Sequence, residues 1–151
     1  MTIQNKIELL KSHITNVKEF APTNDAKIDF VDAMLKNGEF ATLPEDYKEF
    51  LKITNGIIAQ PYEFYGTENI NRIENNYKFP NVVEVNNLFK ETTNPLMKNR
   101  VVLGEKFFDI FVYDNYDNLY KILNRLNLSI IKTFKNFEEV LDNILEENYS
   151  C

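Results

Sequence analysis

The chain has no tryptophan, one histidine, one cysteine and four glycines in 151 residues. Each scarcity closes a class of chemistry. The cysteine is Cys151, the last residue, so no intrachain disulfide can form and nothing points to an oxidising compartment. His13 is the only imidazole available as the base of a Ser–His–Asp or Cys–His site, and no Gly-x-Ser-x-Gly turn accompanies it. It also lacks the His or Cys companions of a thiolate or imidazole metal site. The few glycines form neither a Walker loop nor a dinucleotide fingerprint. No apolar run approaches the ~18 residues of a membrane span, and the N-terminus lacks the basic and apolar segments of a signal peptide. These absences lead to the expectation of a cytoplasmic protein with no catalytic residue, no cofactor and no metal.

Clustered positive charge is also missing. Lys and Arg total 17 against 23 Asp and Glu, for a net charge of −6 and a pI near 4.9. Phosphate-binding surfaces need grouped basic residues, and here they are scattered, so direct binding to nucleic acid or to an anionic membrane is not expected. A negative surface suits a basic partner, although a mild charge of this sign also serves solubility alone. Asp114 and Asp117, with Asn115 and Asn118, place oxygen ligands around one turn. They lack the alternating acids, central Gly and distal Glu of an EF-hand loop, and Asx-rich turns occur for backbone reasons. Nothing marks a carboxylate pair as a glycosidase site.

What is present is a well-patterned globular chain, 44% hydrophobic and 26% charged, with 12 Phe and 8 Tyr to build an aromatic core. Ile3, Ile7, Leu10, Ile14 and Val17 recur at spacings of three and four, predicting a helix from Thr2, its N-cap, to Phe20. A second helix follows Pro22 and Thr23–Asn24, with Ile28, Val31, Met34 and Leu35 inward, and closes at Asn37–Gly38.

The stretch around which the chain is organised runs from Leu43 to Gly56. Pro44 suits a first helical position, and Glu45 and Asp46 complement the helix dipole. Leu43, Tyr47, Phe50, Leu51 and Thr54 share one face, while Lys48, Glu49 and Lys52 fall towards water. Asn55–Gly56 is expected to stop the helix, with Gly56 in a left-handed C′ conformation.

Beyond it, Ile57–Ile58 and Tyr62–Tyr65 read as strands interrupted by Pro61. Thr67 to Asn76 is expected as a short helix. Asn81 to Lys90 fits a helical face through Val82, Val85 and Phe89 but also suits a strand, and the helix is preferred. Glu91 to Asn99 is expected as a loop. Strands follow at Arg100–Leu103, ending at Gly104, and at Phe107–Tyr113. In the latter, Phe108, Ile110 and Val112 oppose Phe107, Asp109, Phe111 and Tyr113, so both faces should be covered. The turn Asp114–Asn118 leads to a return strand Leu119–Leu123, another strand spans Leu128–Phe134, and Asn136 with Glu139 caps a last helix. Its core face is Phe137, Val140, Leu141, Ile144 and Leu145. This order describes an α+β domain over residues 1–151, with N-terminal helices and a C-terminal helix on a mainly antiparallel sheet.

The residues Leu43–Pro44, Tyr47, Phe50–Leu51 and Asn55–Gly56 resemble the signature of the SUKH superfamily, which includes fungal glucan-synthesis regulators and bacterial toxin-immunity proteins. The preceding helix, the aromatic strand ending at Asp114 and the entry Thr133, Phe134, Phe137 to the last helix extend the similarity. The resemblance implies a non-catalytic binding protein that occludes a cognate, basic toxin, often a nuclease. Its alternative implication is a regulator or scaffold of cell-wall glucan synthesis. Those regulators carry long extensions, so a chain of domain length favours the immunity branch. Partner contacts are expected from two acidic features. One is Asp109, Asp114 and Asp117 with Tyr113 and Tyr116 as anchors. The other is Glu138, Glu139 and Asp142 on the last helix, within a stretch from Asn136 onward that has no Lys or Arg.

Overall fold

The computed structural model describes residues 2–72, 77–91 and 95–149. Cys151, residues 73–76 of the helix expected after Thr67 and residues 92–94 of the expected loop lie outside them. The chain opens with helix α1 (Ile3–His13), a two-residue strand β1 (Lys18–Glu19), helix α2 (Asp25–Asn37) and helix α3 (Glu45–Ile53). Strands β2 (Ile57–Ala59) and β3 (Tyr62–Phe64) follow, then a ribbon of β4 (Ile70–Arg72) and β5 (Tyr77–Phe79), and helix α4 (Val82–Glu91). A 3-10 turn at Pro95–Met97 leads to β6 (Arg100–Lys106), β7 (Asp109–Asp114), β8 (Leu119–Asn124), β9 (Ile130–Phe134) and helix α5 (Phe137–Tyr149).

Among the described residues seven strands form one antiparallel sheet in the order β1-β2-β3-β6-β7-β8-β9, and β4 and β5 form a separate pair. The α+β class and the helices at both ends are as expected. Alternation along the strands sets the layers. Phe64 and Phe111 point to one face, where they meet Phe137 of α5 and Phe50 of α3. Glu63 and Glu105, paired across β3 and β6, point to the other, beneath Val85 and Phe89 of α4. The sheet around β6 and β7 is therefore covered on both sides. Among the described residues no helix is long and apolar enough to cross a membrane.

The signature helix lies at the centre. Leu43, Tyr47, Phe50, Leu51 and Thr54 are all buried, as their spacing requires. Tyr47 packs its ring against both Phe50 and Phe137, and its hydroxyl donates to the Tyr65 carbonyl at 2.6 Å, with the Leu103 carbonyl at 3.2 Å. The Asn55 amide accepts from the Thr67 amide and donates to its hydroxyl, both at 2.8 Å, which fastens the segment after β3.

The ends of this helix differ from expectation. Pro44 is the N-cap rather than the first helical residue, and Thr54, extended at φ −142, closes the helix two residues before Gly56. Gly56 does take a positive φ of 93°, but as the entry to β2, where a Cβ would meet the Phe64 carbonyl at 2.8 Å. Lys48 does not face open water: its ammonium pairs with Asp32 of α2 at 2.7 Å, and Asp32 also accepts the Leu43 amide.

Other boundaries moved for tertiary reasons. The first helix ends at His13, because Asn16 turns the chain with φ 61° and Lys18–Glu19 pairs with β2. Ile14 and Val17 stay inward without a helix. Thr2 caps α1 through the Asn5 amide and Asn24 caps α2 through the Lys27 amide. Met34 is exposed, not core. The segment expected as a helix after Thr67 contains β4, which is held extended by its antiparallel partner β5. Asn81–Lys90 is helical, as preferred. Strand β6 runs through Gly104, which sits so close to Glu63 and Phe64 of β3 that no side chain would fit. Phe107 and Phe108 form a hairpin tip instead of starting β7, and Asp114 ends that strand. The last strand starts at Ile130, because Leu128 adopts φ 59°. The final helix begins as read. The Glu139 amide bonds the Asn136 side chain at 2.9 Å, and Phe137, Val140, Leu141, Ile144 and Leu145 are buried.

Leu51→Ala should destabilise the protein by about 2–5 kcal/mol, whereas Glu49→Ala on the outer face should stay within about 0.5 kcal/mol. Urea melts check the difference, and equal effects would contradict the packing. Gly56→Val should destabilise strongly for a different reason, the clash of a β-branched residue at positive φ.

Candidate functional site

The acids of the chain are sorted by what they touch. Asp46, in the first turn of α3, reaches across the core: one carboxylate oxygen accepts the Phe137 amide at 2.6 Å and the other accepts the Tyr120 hydroxyl. A side chain of the signature helix thereby caps the first turn of α5 and holds β8 beside it. The N-termini of α3 and α5 consequently meet at the end of the sheet where β7 turns into β8. Glu45, 89% exposed at its side chain, and Asp46 come from one helix, Glu138 and Glu139 from the other, and Tyr116 and Asp117 from the turn.

Aromatic rings form the floor of this corner. Tyr113 meets Tyr120 edge-on at 5.1 Å, Tyr120 leans on Phe137 at 5.8 Å, and the Tyr113 hydroxyl contacts the Asn118 side chain at 3.1 Å. Burial, reinforced by the fields of Asp46, Asp117 and Asp114, pushes the Tyr113 phenol above its ordinary range. Burial and then Asp46 do the same more strongly to Tyr120. Tyr116 stands out at 87% exposure as a free aromatic beside this negative field.

Three of the residues expected to form a docking surface lie outside this corner or are withdrawn from it. Asp114 is buried: Arg100 bonds it at 2.9 Å, Lys121 at 3.0 Å and the Tyr116 amide at 2.9 Å. It holds the turn in shape and offers no charge to a partner. Asp109 lies at the opposite end of β7, roughly 17 Å away at strand rise, paired with Lys106 and Asn124. Asp142 on α5 is engaged by Lys6 of α1 at 2.6 Å. Asp117 remains at the corner with Lys121 as its counterion at 2.6 Å, and Glu139 accepts the Lys135 amide. The structure thus brings together Tyr113, Tyr116, Asp117, Glu138 and Glu139, and adds Glu45 and Asp46. Those two read only as dipole partners in the sequence. The contacts of Asp46 lie 74 and 91 residues away, so no local signal reveals them.

Chemically, the corner can attract cationic side chains and seat an aromatic anchor. Among the described residues no group of three or more His, Cys, Asp or Glu is arranged to hold a metal ion. The signature residues Leu43, Tyr47, Phe50, Leu51 and Asn55 are buried in the core beneath it.

Asp114 generates a pH prediction. Burial alone would raise its carboxyl, but the bonds from Arg100, the Tyr116 amide and Lys121 outweigh burial and hold it below the usual carboxylate range. A depressed folded pKa contributes stability that is present above the unfolded value near 3.9 and lost as pH falls through the folded one. Unfolding free energy should therefore drop below about pH 4. Asp114→Asn should remove that part of the pH dependence and cost about 3 kcal/mol at neutral pH, because Arg100 is left buried without its counterion. Melts of both proteins across acidic pH check this.

A comparison with curated proteins yields no match. The family model of the SMI1 / KNR4 family (SUKH-1) matches residues 22–143, from just before α2 to the middle of α5. That match covers the signature helix, the whole of the sheet from β2 onward and the acidic corner, and the chain belongs to the SMI1 / KNR4 family (SUKH-1).

Proposed function

We propose that this chain is a non-catalytic binding protein of the immunity type, which neutralises a cognate protein toxin by covering a basic surface of it one-to-one. The observation that carries the reading is the convergence of two helix N-termini and one hairpin turn into a single acidic corner with Tyr116 projecting from it. Family membership supports the same reading, since the family resemblance extends to toxin-immunity proteins. Exposed carboxylates accelerate encounter with a basic active-site face, such as that of a nuclease. A projecting tyrosine over an aromatic floor supplies buried contact that slows release. The corner is held by core residues, so it is pre-organised and loses little entropy on docking. Regulation of cell-wall glucan synthesis is the competing reading of the same family. The acidic corner favours a basic protein partner over it.

Co-expression with a toxin domain encoded beside this chain should restore growth, and the two should co-purify at equal stoichiometry. Raising salt from 0.15 to 1 M, which shortens the Debye length from about 8 to about 3 Å, should slow association markedly. Glu45→Gln with Glu138→Gln should slow association without changing the melting transition, and Tyr116→Ala should chiefly speed dissociation. Association insensitive to salt and to these substitutions would remove the corner from the interface. Failure of the toxin to bind, or of the chain to protect cells, would overturn the immunity reading.

A further inference from the structure

We infer that the end of the sheet opposite the acidic corner is a self-association surface, on which a second copy of this chain docks about a twofold axis. The surface consists of a knob and a groove. The knob is the β6–β7 hairpin tip, where Phe107 (71% exposed, φ 51°) and Phe108 (70% exposed) project from the sheet, with Leu126 (84% exposed) of the β8–β9 connection beside them. The two loops are tied into one body. The Arg125 amide donates to the Phe108 carbonyl at 2.7 Å, and the Arg125 guanidinium makes a two-pronged pair with Glu105 at 3.1 and 3.2 Å. A phenylalanine in the left-handed region is uncommon, and here it aims a large ring away from the domain.

The groove adjoins the knob, with Leu126 on their common border. It encloses about 590 Å³ between α4 and the sheet and is lined by Leu88, Phe89, Met97 and Leu128. Leu88 on its rim is 56% exposed. Arg125 stacks over the Phe89 ring at 5.5 Å and fixes that wall.

Charge and shape together point to the occupant. Each copy carries −6, so two copies repel over most of their surfaces and most strongly at the acidic corner. At the tip Glu105 is answered by Arg125 and Lys106 by Glu147 at 2.6 Å, while Glu63 on the groove wall and Asp109 after Phe108 are further acids of the same surface. The closed pairs leave a second copy a smaller like-charge penalty there than at the acidic corner. Geometry agrees. Knob and groove lie side by side, so one twofold axis near Leu126 seats each Phe107–Phe108 tip in the other copy's groove, making a self-complementary contact. Phe107, Phe108, Leu126 and Leu88 together expose roughly 500 Å² of side chain, at the upper end of apolar patches on monomers. With the groove walls this reaches the roughly 600 Å² per partner at which specific interfaces begin.

Sedimentation equilibrium on the whole chain in a Cys151→Ser background tests the inference. That parent should show a concentration-dependent monomer–dimer equilibrium. Phe107→Asn, Phe108→Ser and Leu126→Asp combined should remain monomeric at every concentration, with the circular-dichroism spectrum and the dilute melting transition unchanged. Asn is chosen because it tolerates the left-handed backbone at residue 107. A Phe108→Cys protein mixed with a Leu88→Cys protein should form a mixed disulfide on oxidation that neither the parent nor Leu88→Cys alone forms. A monomeric parent, a triple variant that still dimerises, or the absence of the mixed disulfide would overturn the inference. Each readout is independent of whether the acidic corner binds a toxin.

Discussion

The structure depends on one buried hydroxyl. Tyr47 lies wholly inside the domain, where its phenol has no water to satisfy it and its pKa is driven well above the ordinary value by burial. The proton goes to the Tyr65 carbonyl, at the end of β3, with the Leu103 carbonyl within reach at the register shift of β6. The Leu103 carbonyl already accepts the Tyr65 amide at 2.8 Å, and the Tyr65 carbonyl, just past the end of β3, takes the hydroxyl of the signature helix. The Asn86 side chain binds from the other side. It accepts the Val102 amide at 2.7 Å and donates to the Val102 carbonyl at 2.9 Å. The helix on each face of the sheet therefore contributes one polar group to the same irregular stretch of β6.

Around that hydroxyl the rings of Phe50, Phe64 and Phe137 pack edge-on or tilted at 5.0 to 6.5 Å. Such geometry is favoured over parallel stacking and fixes the angle between α3, α5 and the sheet. Asp46, one residue before Tyr47, then has a fixed partner in the Phe137 amide. Core packing and surface charge are linked through adjacent residues. The ring of residue 47 positions the helix, and the carboxylate of residue 46 converts that position into a shared corner for two helix N-termini.

The two ends of the sheet have opposite characters as a result. At the β7–β8 end, carboxylates collect because helix N-termini favour negative charge there. At the β6–β7 end the pairs of Glu105 and Lys106 are closed within the chain, and large apolar side chains project. The two surfaces lie a full strand length apart.

The sequence by itself determined the α+β class and most of the buried face of each helix, Met34 excepted, because periodic burial is a local property that spacing records. The faces of α3 and α5 and the Asn24 and Asn136 caps follow from a few neighbouring residues. So did the family, through Leu43, Pro44, Tyr47, Phe50, Leu51, Asn55 and Gly56 at fixed intervals. Where helices gave way to short strands, as at Lys18–Glu19 and Ile70–Arg72, the deciding hydrogen bonds came from β2 and β5, which periodicity does not register. The candidate site was legible only in part for the same reason. Asp114, Asp117 and Asp142 are alike as letters, but Asp117 pairs with nearby Lys121 whereas the other two are set by more distant partners. Arg100, 14 residues from Asp114, buries that carboxylate, and Lys6, 136 residues from Asp142, engages another. Which acids remain free to meet a partner is a property of ion pairing across the fold, and only the tertiary structure decided it.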